Sequence, residues 1–427
     1  MASVVIVFQV HQPYRLRRYS VFDSDPFYFD DSANGQICQR VAEKCYRPMT
    51  RLLLEQVRAH GGRFRVAFSI TGTAMEQLAE YAPDVLVLLR ELAQTGCCEF
   101  LGETSHHSLS FVYSPAEFAR QVNLHARLIE EHFGQRPTVF RNTELIYGND
   151  VARAIGGGKG GLGTPAYAGV LCEGVDHLLG PRSPGFVYRP PGGARAGGGA
   201  GGLGLLLRNS RLSDDIGFRF GNRGWAQWPL TAEKFAYSIA QISPEGQLCN
   251  IFLDYETFGE HQWADTGIFR FMAGLPGTLL EARFGSNDFL TPSEALRRYQ
   301  PSGEYDVPGL TSWADTERDL SPWAGNAMQA NALGEVYRLE PLVMGRLDSA
   351  GSGQERALAE GMVRDWRRLT TSDHFYYMST KGFADGDVHK YFSPYDSPYD
   401  AYINFMNVLD NLRTRLDVVS EPAAATR

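Results

Sequence analysis

Short apolar runs alternate with longer segments of helical periodicity over the first two-thirds of the chain. Such alternation predicts strand–helix units that build a parallel sheet. We interpret seven apolar runs as strands, at residues 4–10, 64–70, 98–102, 138–141, 168–172, 203–207 and 248–253. Seven strands joined by crossover helices indicate an α/β fold of the barrel type.

Helical segments separate these runs. Apolar residues recur at helical spacing in residues 41–58, 75–94 and 116–133, and Ser114 with Pro115 favours a helix start before the last of them. From about residue 320 the chain changes to long helical periods, at residues 324–346, 353–369 and 397–419. We expect these helices to pack as a C-terminal α-helical domain.

Length and composition are those of an ordinary globular protein. The chain has 427 residues, of which 43% are hydrophobic and 21% charged, so neither disorder nor a membrane protein is indicated. A net charge of −8 disfavours nucleic acid and anionic membranes as partners, because both bind basic patches. The run at residues 4–10 is too short to span a membrane and lacks a signal-peptide pattern, so we expect a cytoplasmic protein. The oligomeric state stays open.

Cysteines and glycines add little chemistry. Six cysteines are scattered without metal-site spacing, and we expect neither disulfides nor a cysteine-bound metal. Two glycine-rich stretches, residues 156–163 and 192–204, interrupt the strand–helix pattern. No Ser or Thr follows the lysine of the first stretch, as it would in a phosphate-binding loop, so we interpret both as flexible surface loops.

Polar residues gather where the predicted strands end. His11 follows the first strand, Glu103 the third, Glu144 the fourth and Asp254 the seventh. Parallel α/β folds bind ligands at the carboxyl edge of the sheet, so we expect these side chains to surround a common site.

Two of these strands end in a carboxylate. Acetal hydrolysis needs two carboxyl groups, one to attack the anomeric carbon and one to protonate the leaving oxygen, and Glu144 and Asp254 suit that division. Asp254 could instead be the N-cap of a helix, and Arg141, close to Glu144, could form a surface salt bridge.

Histidines follow two other strands. His11, His106 and His107 could hydrogen-bond sugar hydroxyls or, with nearby acids, bind zinc. Adjacent histidines diverge on an extended chain, and no spacing typical of a zinc site is present, so we expect no metal and no cofactor.

Five segments together resemble the ordered signature regions of glycoside hydrolase family 57, especially its α-amylase branch. They are HQP at residues 11–13, GETSHHSL at 102–109, FRNTELIY at 140–147, LDYETFGEHQW at 253–263 and SWADTERDLSPW at 312–323. The resemblance implies an incomplete seven-stranded (β/α)7 barrel over residues 1–300, followed by a helical domain over 301–427 that contributes to the cleft.

The resemblance also implies roles for individual residues. Glu144 would be the nucleophile and Asp254 the general acid/base of a retaining mechanism on α-glucosidic bonds. Residues expected to bind the substrate are His11, Glu103, His106, Arg141, Glu256, His261, Trp263, Trp313, Asp319 and Trp323.

The predicted activity is cleavage of internal α-1,4-glucosidic bonds in α-glucans or maltooligosaccharides. The alternative is a 4-α-glucanotransferase or a glycogen branching enzyme with the same catalytic pair. Two further hypotheses are a glucan-binding protein without catalysis and a metal-dependent deacetylase or α-mannosidase on a related barrel.

Overall fold

The structure is a computed structural model. It describes residues 2–156, 161–192, 202–242, 246–281, 287–381 and 393–420. Residues 157–160 and 193–201, which form much of the two glycine-rich stretches, lie outside the described residues, so their interpretation as loops stays a prediction.

The chain forms two compact units, each built from separate segments. Unit 1 comprises Met1–Gln12, Gly35–Ser105 and Ala119–Trp313. Unit 2 comprises Pro13–Asn34, His106–Phe118 and Ala314–Arg427. The predicted domains, 1–300 and 301–427, are consecutive in sequence, whereas these units are discontinuous.

All strands of the described chain that join a sheet lie in unit 1. Their bounds are β1 Ser3–Val10, β2 Val66–Ile70, β3 Cys98–Phe100, β4 Val139–Arg141, β5 Gly169–Glu173, β6 Val187–Tyr188, β7 Gly204–Arg208 and β8 Leu248–Asp254. Seven of them overlap the seven predicted runs. The eighth, β6, has two residues, which is too short for an alternating pattern to be recognised.

The strands pair in two four-stranded sheets, in the orders β3-β2-β1-β8 and β4-β5-β7-β6. Every pair is parallel except β6–β7, which is antiparallel. A parallel bridge between Gly102 and Phe140 connects the chain beyond β3 to β4. Strand β1 is buried along its whole length, which explains its nearly continuous apolar sequence.

The α-helices before β4 have the bounds α1 Asp31–Val41, α2 Arg47–Ala59, α3 Gly72–Tyr81, α4 Pro83–Gln94, α5 Ser110–Tyr113 and α6 Pro115–Phe133. The predicted helix at residues 75–94 is therefore two helices. Proline lacks an N–H and disfavours a helical residue before it, so Pro83 begins a new helix after Ala82, whose φ is −149°.

A π-helix, Ala42–Tyr46, connects α1 to α2. Its last hydrogen bond runs from the N–H of Arg47 to the carbonyl of Ala42, five residues back. Pro48 has no N–H to offer Lys44, whose carbonyl instead lies against Gly259; a Cβ at Gly259 would be 2.0 Å from that oxygen. The π-helix therefore packs directly on the segment that follows β8.

The later α-helices of unit 1 are α7 Asn149–Ile155, α8 Asp176–Leu179, α9 Ser210–Gly217, α10 Ala232–Ala240, α11 Ile268–Leu280 and α12 Pro292–Arg298. Aromatic side chains form the centre of its core. The ring of Phe8 lies 5.4 Å from that of Phe68 and 5.1 Å from that of Tyr255, measured between ring centres. Buried aromatic contacts of this kind stabilise the strand ends on which the polar residues lie.

The helices of the C-terminal part of unit 2 are α13 Ser321–Ala324, α14 Ala327–Arg338, α15 Glu340–Ser349, α16 Gln354–Leu369, α17 Ser372–Tyr376 and α18 Pro398–Ser420. Pro341 divides the predicted helix 324–346 into two, whereas the helices predicted at 353–369 and 397–419 are present. The buried indole of Trp366 donates to the carbonyl of Val336 over 2.8 Å, which holds α16 on α14. No helix in the described ranges is long and apolar enough to cross a membrane.

Candidate active site

Each of the seven parallel strands of unit 1 carries a polar side chain at or just beyond its carboxyl end. These residues are Gln9, Ser69, Glu103, Arg141, Glu173, Arg208 and Asp254. Gln9 pairs in register with Ser69 on one side and with Asp254 on the other. Parallel pairing brings all these ends to one edge, where a substrate can bind.

Arg141 lies at the centre of this group. Its side chain is fully buried, and Nη1 lies 3.5 Å from Oε2 of Glu103. Nη2 donates to the side-chain oxygen of Gln9. Burial lowers the pKa of Arg141, while the charges of Glu103, Glu144 and Asp254 raise it. The surface salt bridge considered for Arg141 from the sequence is therefore wrong, because this guanidinium lies among the predicted site carboxylates.

Glu144 has an unusual backbone conformation. It lies in a 3₁₀ turn, Thr143–Leu145, with φ 56° and ψ 28°, and Leu145 also has a positive φ of 52°. Non-glycine residues in this left-handed region are strained, and such strain clusters at functional sites. Oε2 of Glu144 accepts a hydrogen bond from Nε1 of Trp313 over 2.7 Å. The turn and the indole together fix the direction of the carboxylate.

Asp254 is the last residue of β8 and precedes a 3₁₀ turn, Tyr255–Thr257. It occupies the N-cap position of that turn, but its side chain makes no capping hydrogen bond. The capping role considered from the sequence is therefore wrong. Glu256, two residues later, is buried and accepts a hydrogen bond from the hydroxyl of Tyr46.

Glu103 is held by partners from neighbouring elements. Its Oε1 accepts from the hydroxyl of Ser69 over 2.8 Å, and its backbone N–H donates to Nδ1 of His125 over 3.2 Å. The other ring nitrogen of His125 then carries the proton, which it donates to the carbonyl of Ile70. Burial lowers the pKa of His125, consistent with a neutral ring that supports the loop after β3.

The remaining predicted site residues of unit 1 follow β1 and β8. Nδ1 of His11 lies 3.1 Å from the hydroxyl of Thr71, the N-cap of α3. Burial lowers the pKa of His261 to about 4, so its ring is neutral at pH 7. Trp263 is 62% exposed, and Nζ of Lys44 lies 5.8 Å from its ring centre. An exposed indole near the carboxyl edge of the strands offers a flat surface to a ligand.

The sequence reasoning missed an ion pair between β5 and β7. Nη1 of Arg208 lies 3.1 Å from Oε2 of Glu173, and its Nε donates to the carbonyl of Phe252. The guanidinium also lies 5.5 Å from the ring centre of Trp313. Glu173 and Arg208 directly follow two predicted strands, and that position was the signal that could have revealed them.

Three predicted site residues belong to unit 2. Trp323 is 2% exposed and packs against Tyr376, with the ring centres 6.3 Å apart. His106 is buried, which lowers the pKa of its ring, and Asp319 accepts from the backbone N–H of Ser321 over 2.8 Å. The burial of Trp323 favours a packing role. The substrate-binding roles of all three stay predictions.

Comparison with known proteins identifies the family. Residues 5–308 match the family described as "Glycosyl hydrolase family 57". A curated relative from Methanocaldococcus jannaschii, named "Putative alpha-amylase", is 39% identical over 410 residues, which cover 94% of this chain and 82% of that protein.

The chain belongs to glycosyl hydrolase family 57. The predicted family is therefore confirmed, and so is the prediction of a glycoside hydrolase.

Three solved enzyme structures have a similar fold. A branching enzyme from Thermococcus kodakaraensis has a TM-score of 0.65 at 15% identity, covering 97% of this chain and 90% of that one. An α-amylase from Thermotoga maritima has a TM-score of 0.62 at 13% identity, covering 98% and 94%. A 4-α-glucanotransferase from Thermococcus litoralis has a TM-score of 0.57 at 15% identity and covers 96% of this chain, which spans 57% of that longer protein. The predicted α/β character and parallel sheets are confirmed.

Proposed function

We propose that this GH57 protein is a retaining glycoside hydrolase that cleaves internal α-1,4-glucosidic bonds of α-glucans, with Glu144 as nucleophile and Asp254 as general acid/base. The observation that carries the proposal is the constraint on Glu144. A carboxylate in a strained turn, held by the indole of Trp313 at 2.7 Å, is oriented in advance for attack.

The site also fits the division of work between two carboxyl groups. The charges of Glu144 and Asp254 both act on the buried guanidinium of Arg141. This cation stabilises ionised Glu144, and we expect Asp254 to carry the proton that the leaving group receives. For retention, we expect the two carboxyl groups to be about 5 to 5.5 Å apart with substrate bound.

The strand arrangement supports an incomplete seven-stranded barrel. The Gly102–Phe140 bridge connects β3 to β4, and at the opposite side the N–H of Asn209 donates to the carbonyl of Asn250 over 2.8 Å. The side chain of Asn250 donates to the carbonyl of Leu207, so the chain around β7 also contacts β8. The parallel strands then follow the order β8-β1-β2-β3-β4-β5-β7, and their carboxyl ends surround one mouth.

The reaction proceeds in two displacements. Glu144 attacks the anomeric carbon while Asp254 gives its proton to the departing glycosidic oxygen, which leaves a glycosyl ester on Glu144 and an ionised Asp254. Water then attacks the anomeric carbon, breaks its bond to Glu144 and loses a proton to Asp254, so that the sugar is released with its original configuration and both carboxyl groups are restored.

The substrate class follows from the relatives. The curated relative is named "Putative alpha-amylase", and the solved structures with a similar fold include an α-amylase, a branching enzyme and a 4-α-glucanotransferase. A 4-α-glucanotransferase or branching activity is the second candidate, since the same glycosyl ester can pass to a sugar hydroxyl instead of water. Hydrolysis and transfer differ only in the group that accepts the glycosyl unit, water or a sugar hydroxyl.

Digestion of maltoheptaose and amylose tests the proposal. We expect new reducing ends and a series of shorter maltooligosaccharides from the wild type, and a loss of at least about 1,000-fold in kcat for Glu144→Gln and Asp254→Asn. Matched controls are Glu360→Gln and Asp410→Asn, whose carboxylates form exposed ion pairs on α16 and α18.

Each outcome has a distinct meaning. Products both longer and shorter than the substrate, without new reducing ends, would establish transfer instead of hydrolysis. New α-1,6 linkages in amylose would establish branching. Full activity in either catalytic-site variant would contradict the assigned pair, and so would loss of activity in the controls alone.

A further inference from the structure

The guanidinium of Arg208 is fixed by three elements of unit 1. Arg208 pairs in register with Glu173 of β5, and its Nη1 lies 3.1 Å from Oε2 of that carboxylate. Its Nη2 donates to Oδ1 of Asp214 on α9 over 2.5 Å, and its Nε donates to the carbonyl of Phe252 on β8 over 2.8 Å. The planar fork of a guanidinium suits such a set of acceptors, so the group is held in one orientation.

The ion pair with Glu173 is buried and internally satisfied. The side chain of Arg208 is 5% exposed and that of Glu173 is 1% exposed. Oε1 of Glu173 accepts from the backbone N–H of Gly174 over 3.1 Å, so both oxygens of this carboxylate have a donor. Each nitrogen of the guanidinium likewise has an acceptor within the protein. Arg208 is therefore poorly placed to bind a sugar hydroxyl, and an effect on the reaction would pass through a neighbouring group.

That neighbour is Trp313. Cζ of Arg208 lies 5.5 Å from the ring centre of Trp313, and Cζ of Arg141 lies 5.8 Å from it. The negative potential of an indole face attracts such cations. The carbonyl that Arg208 binds belongs to Phe252, whose own ring lies 5.1 Å from that of Trp313. Arg208 thus restrains the indole directly and also through Phe252.

The restrained indole is the one that binds Glu144. Its Nε1 donates to Oε2 of the carboxylate over 2.7 Å. An indole has a single N–H with a fixed direction, so a rotation of the ring about its side-chain bonds would turn the donor away from the carboxylate. The hydrogen bond to Glu144 therefore depends on the groups that keep the ring in place.

We propose that Arg208 is a positioning residue: its guanidinium holds the indole of Trp313 in the orientation that donates to Glu144. This inference rests on the proposed function of Glu144 as the nucleophile. The ion pairs set the position of the guanidinium, the guanidinium sets that of the indole, and the indole sets the direction of the carboxylate. The buried pair between β5 and β7 thereby prepares the nucleophile for attack without touching the substrate.

Arg208→Lys tests the proposal because it keeps the positive charge but loses the planar fork. An ammonium group on a flexible stem cannot bind the three acceptors in their present directions, so the indole gains freedom. We expect kcat on maltoheptaose to fall by roughly 10-fold with little change in KM, since orientation of the nucleophile matters in the transition state.

The same substitution in a Trp313→Phe background decides how Arg208 acts. A phenyl ring has no N–H to orient, so in that background Arg208→Lys should lower kcat by less than about 2-fold. A role in general stability, or a direct effect of the guanidinium on the substrate, would instead persist there. An equal loss of kcat in both backgrounds would therefore overturn the proposal.

Two further variants complete the kinetic test. Asp214→Asn weakens one of the three anchors at a side chain that is 20% exposed, and it should lower kcat by roughly 3-fold. Arg219→Lys is the matched control, because Arg219 is also held by an aspartate, Asp215, at 2.7 Å and lies 5.9 Å from the ring centre of Trp225. Its kcat should stay unchanged. An unchanged kcat in Arg208→Lys, or in Asp214→Asn if the first variant does not fold, would contradict the role of Arg208.

A measurement without turnover separates this inference from the proposed function. The chain has six tryptophans, so the indole ¹⁵N–¹H spectrum contains few signals, and those of Trp313 and Trp225 are assigned by their loss in the two Trp→Phe variants. Glu144→Ala gives the position of the Trp313 signal without its acceptor. We expect Arg208→Lys to move the Trp313 signal toward that position, and Arg219→Lys to move the signal of Trp225 alone.

The spectrum and the kinetics then fail independently. A Trp313 signal that stays in place in Arg208→Lys, or in Asp214→Asn if the first variant does not fold, would refute the role of Arg208 even if the enzyme cleaves α-glucans. If the signal moves as expected but the wild type cleaves no glucan, Arg208 still positions the indole and the proposed function alone fails.

Discussion

Nε1 of Trp313 lies 2.7 Å from Oε2 of Glu144, and the backbone N–H of Trp313 donates to the carbonyl of the same glutamate. One residue thus holds both the side chain and the backbone of the proposed nucleophile. The indole also packs on Phe252 of β8, with ring centres 5.1 Å apart. This double contact explains how a turn with two left-handed residues stays in place.

Trp313→Phe should separate orientation from folding. A phenyl ring keeps much of the packing on Phe252 but cannot donate to Glu144, so we expect kcat to fall by roughly 10- to 100-fold with little change in Tm. Steady-state kinetics and thermal unfolding measure the two quantities. The control is Trp228→Phe, at an indole that is 42% exposed. Wild-type kcat in Trp313→Phe would show that the hydrogen bond does not orient the nucleophile.

The left-handed backbone conformation of Glu144 leads to a second prediction, about stability. At φ 56° the backbone of a residue with a Cβ is strained, whereas that of glycine is not. Glu144→Gly should therefore be more stable than Glu144→Ala by about 1 kcal/mol. Both variants lose the carboxylate and its bond to Trp313, so their difference isolates the strain. Urea unfolding of the two proteins measures it. Equal stabilities would mean that the turn relaxes when the side chain is shortened.

The seven parallel strands could be predicted because each is an apolar run that ends in a polar or glycine residue. The proposed catalytic pair was chosen for the same reason, since Glu144 and Asp254 stand at or just beyond the ends of such runs. Strand β6 could not be predicted, because two residues are too few to show an alternating hydrophobic pattern. Pro83 could have indicated the boundary between α3 and α4. We predicted one helix there because apolar residues recur at helical spacing on both sides of Pro83.

Other parts of the site depend on contacts that a linear pattern does not contain. Tyr46 falls within the predicted helix at residues 41–58, and no motif in the sequence marks it. Its hydrogen bond to Glu256 arises from the π-turn, which forms where Pro48 lacks an N–H and a distant glycine, Gly259, admits the Lys44 carbonyl. Arg208 was missed because a charged residue after a strand is common, and its partner Glu173 comes from another strand.

Arg141 should be essential for stability as well as for the site. Arg141→Met leaves Glu103 buried beside an uncharged side chain, and losing one partner of a buried ion pair costs about 3–5 kcal/mol. Arg153→Met is the control, because Arg153 pairs with Asp150 on the surface, where we expect a change below about 1 kcal/mol. Urea unfolding at pH 7 compares the two. Equal losses would contradict the central position of Arg141.

The lowered pKa of His261 leads us to expect that the stability of the folded protein depends on pH. Burial lowers the pKa of its ring to about 4 in the folded protein, below the usual value of about 6.5. The unfolded chain therefore binds more protons between these values, and the wild type should lose stability as pH falls from about 6.5 to about 4. His261→Gln lacks this titration. At pH 4.5 we expect the wild type to have lost about 2 kcal/mol more than the variant, relative to pH 7, and parallel curves would refute the burial of a neutral ring.

Two glycines with positive φ test the contact between the π-helix and the segment after β8. Gly259 has φ 114°, and a Cβ there would lie 2.0 Å from the Lys44 carbonyl oxygen; Gly267 has φ 89° and nothing within 4 Å of a Cβ. Gly267→Ala should cost about 1–2 kcal/mol from backbone strain alone. Gly259→Ala should cost more and should also lower kcat, because the clash displaces the segment that carries Asp254 and Glu256 away from Tyr46. Unfolding free energies and kcat of the two variants give the comparison. Equal losses of stability, with normal kcat in Gly259→Ala, would show that the close approach does not position the proposed acid, Asp254.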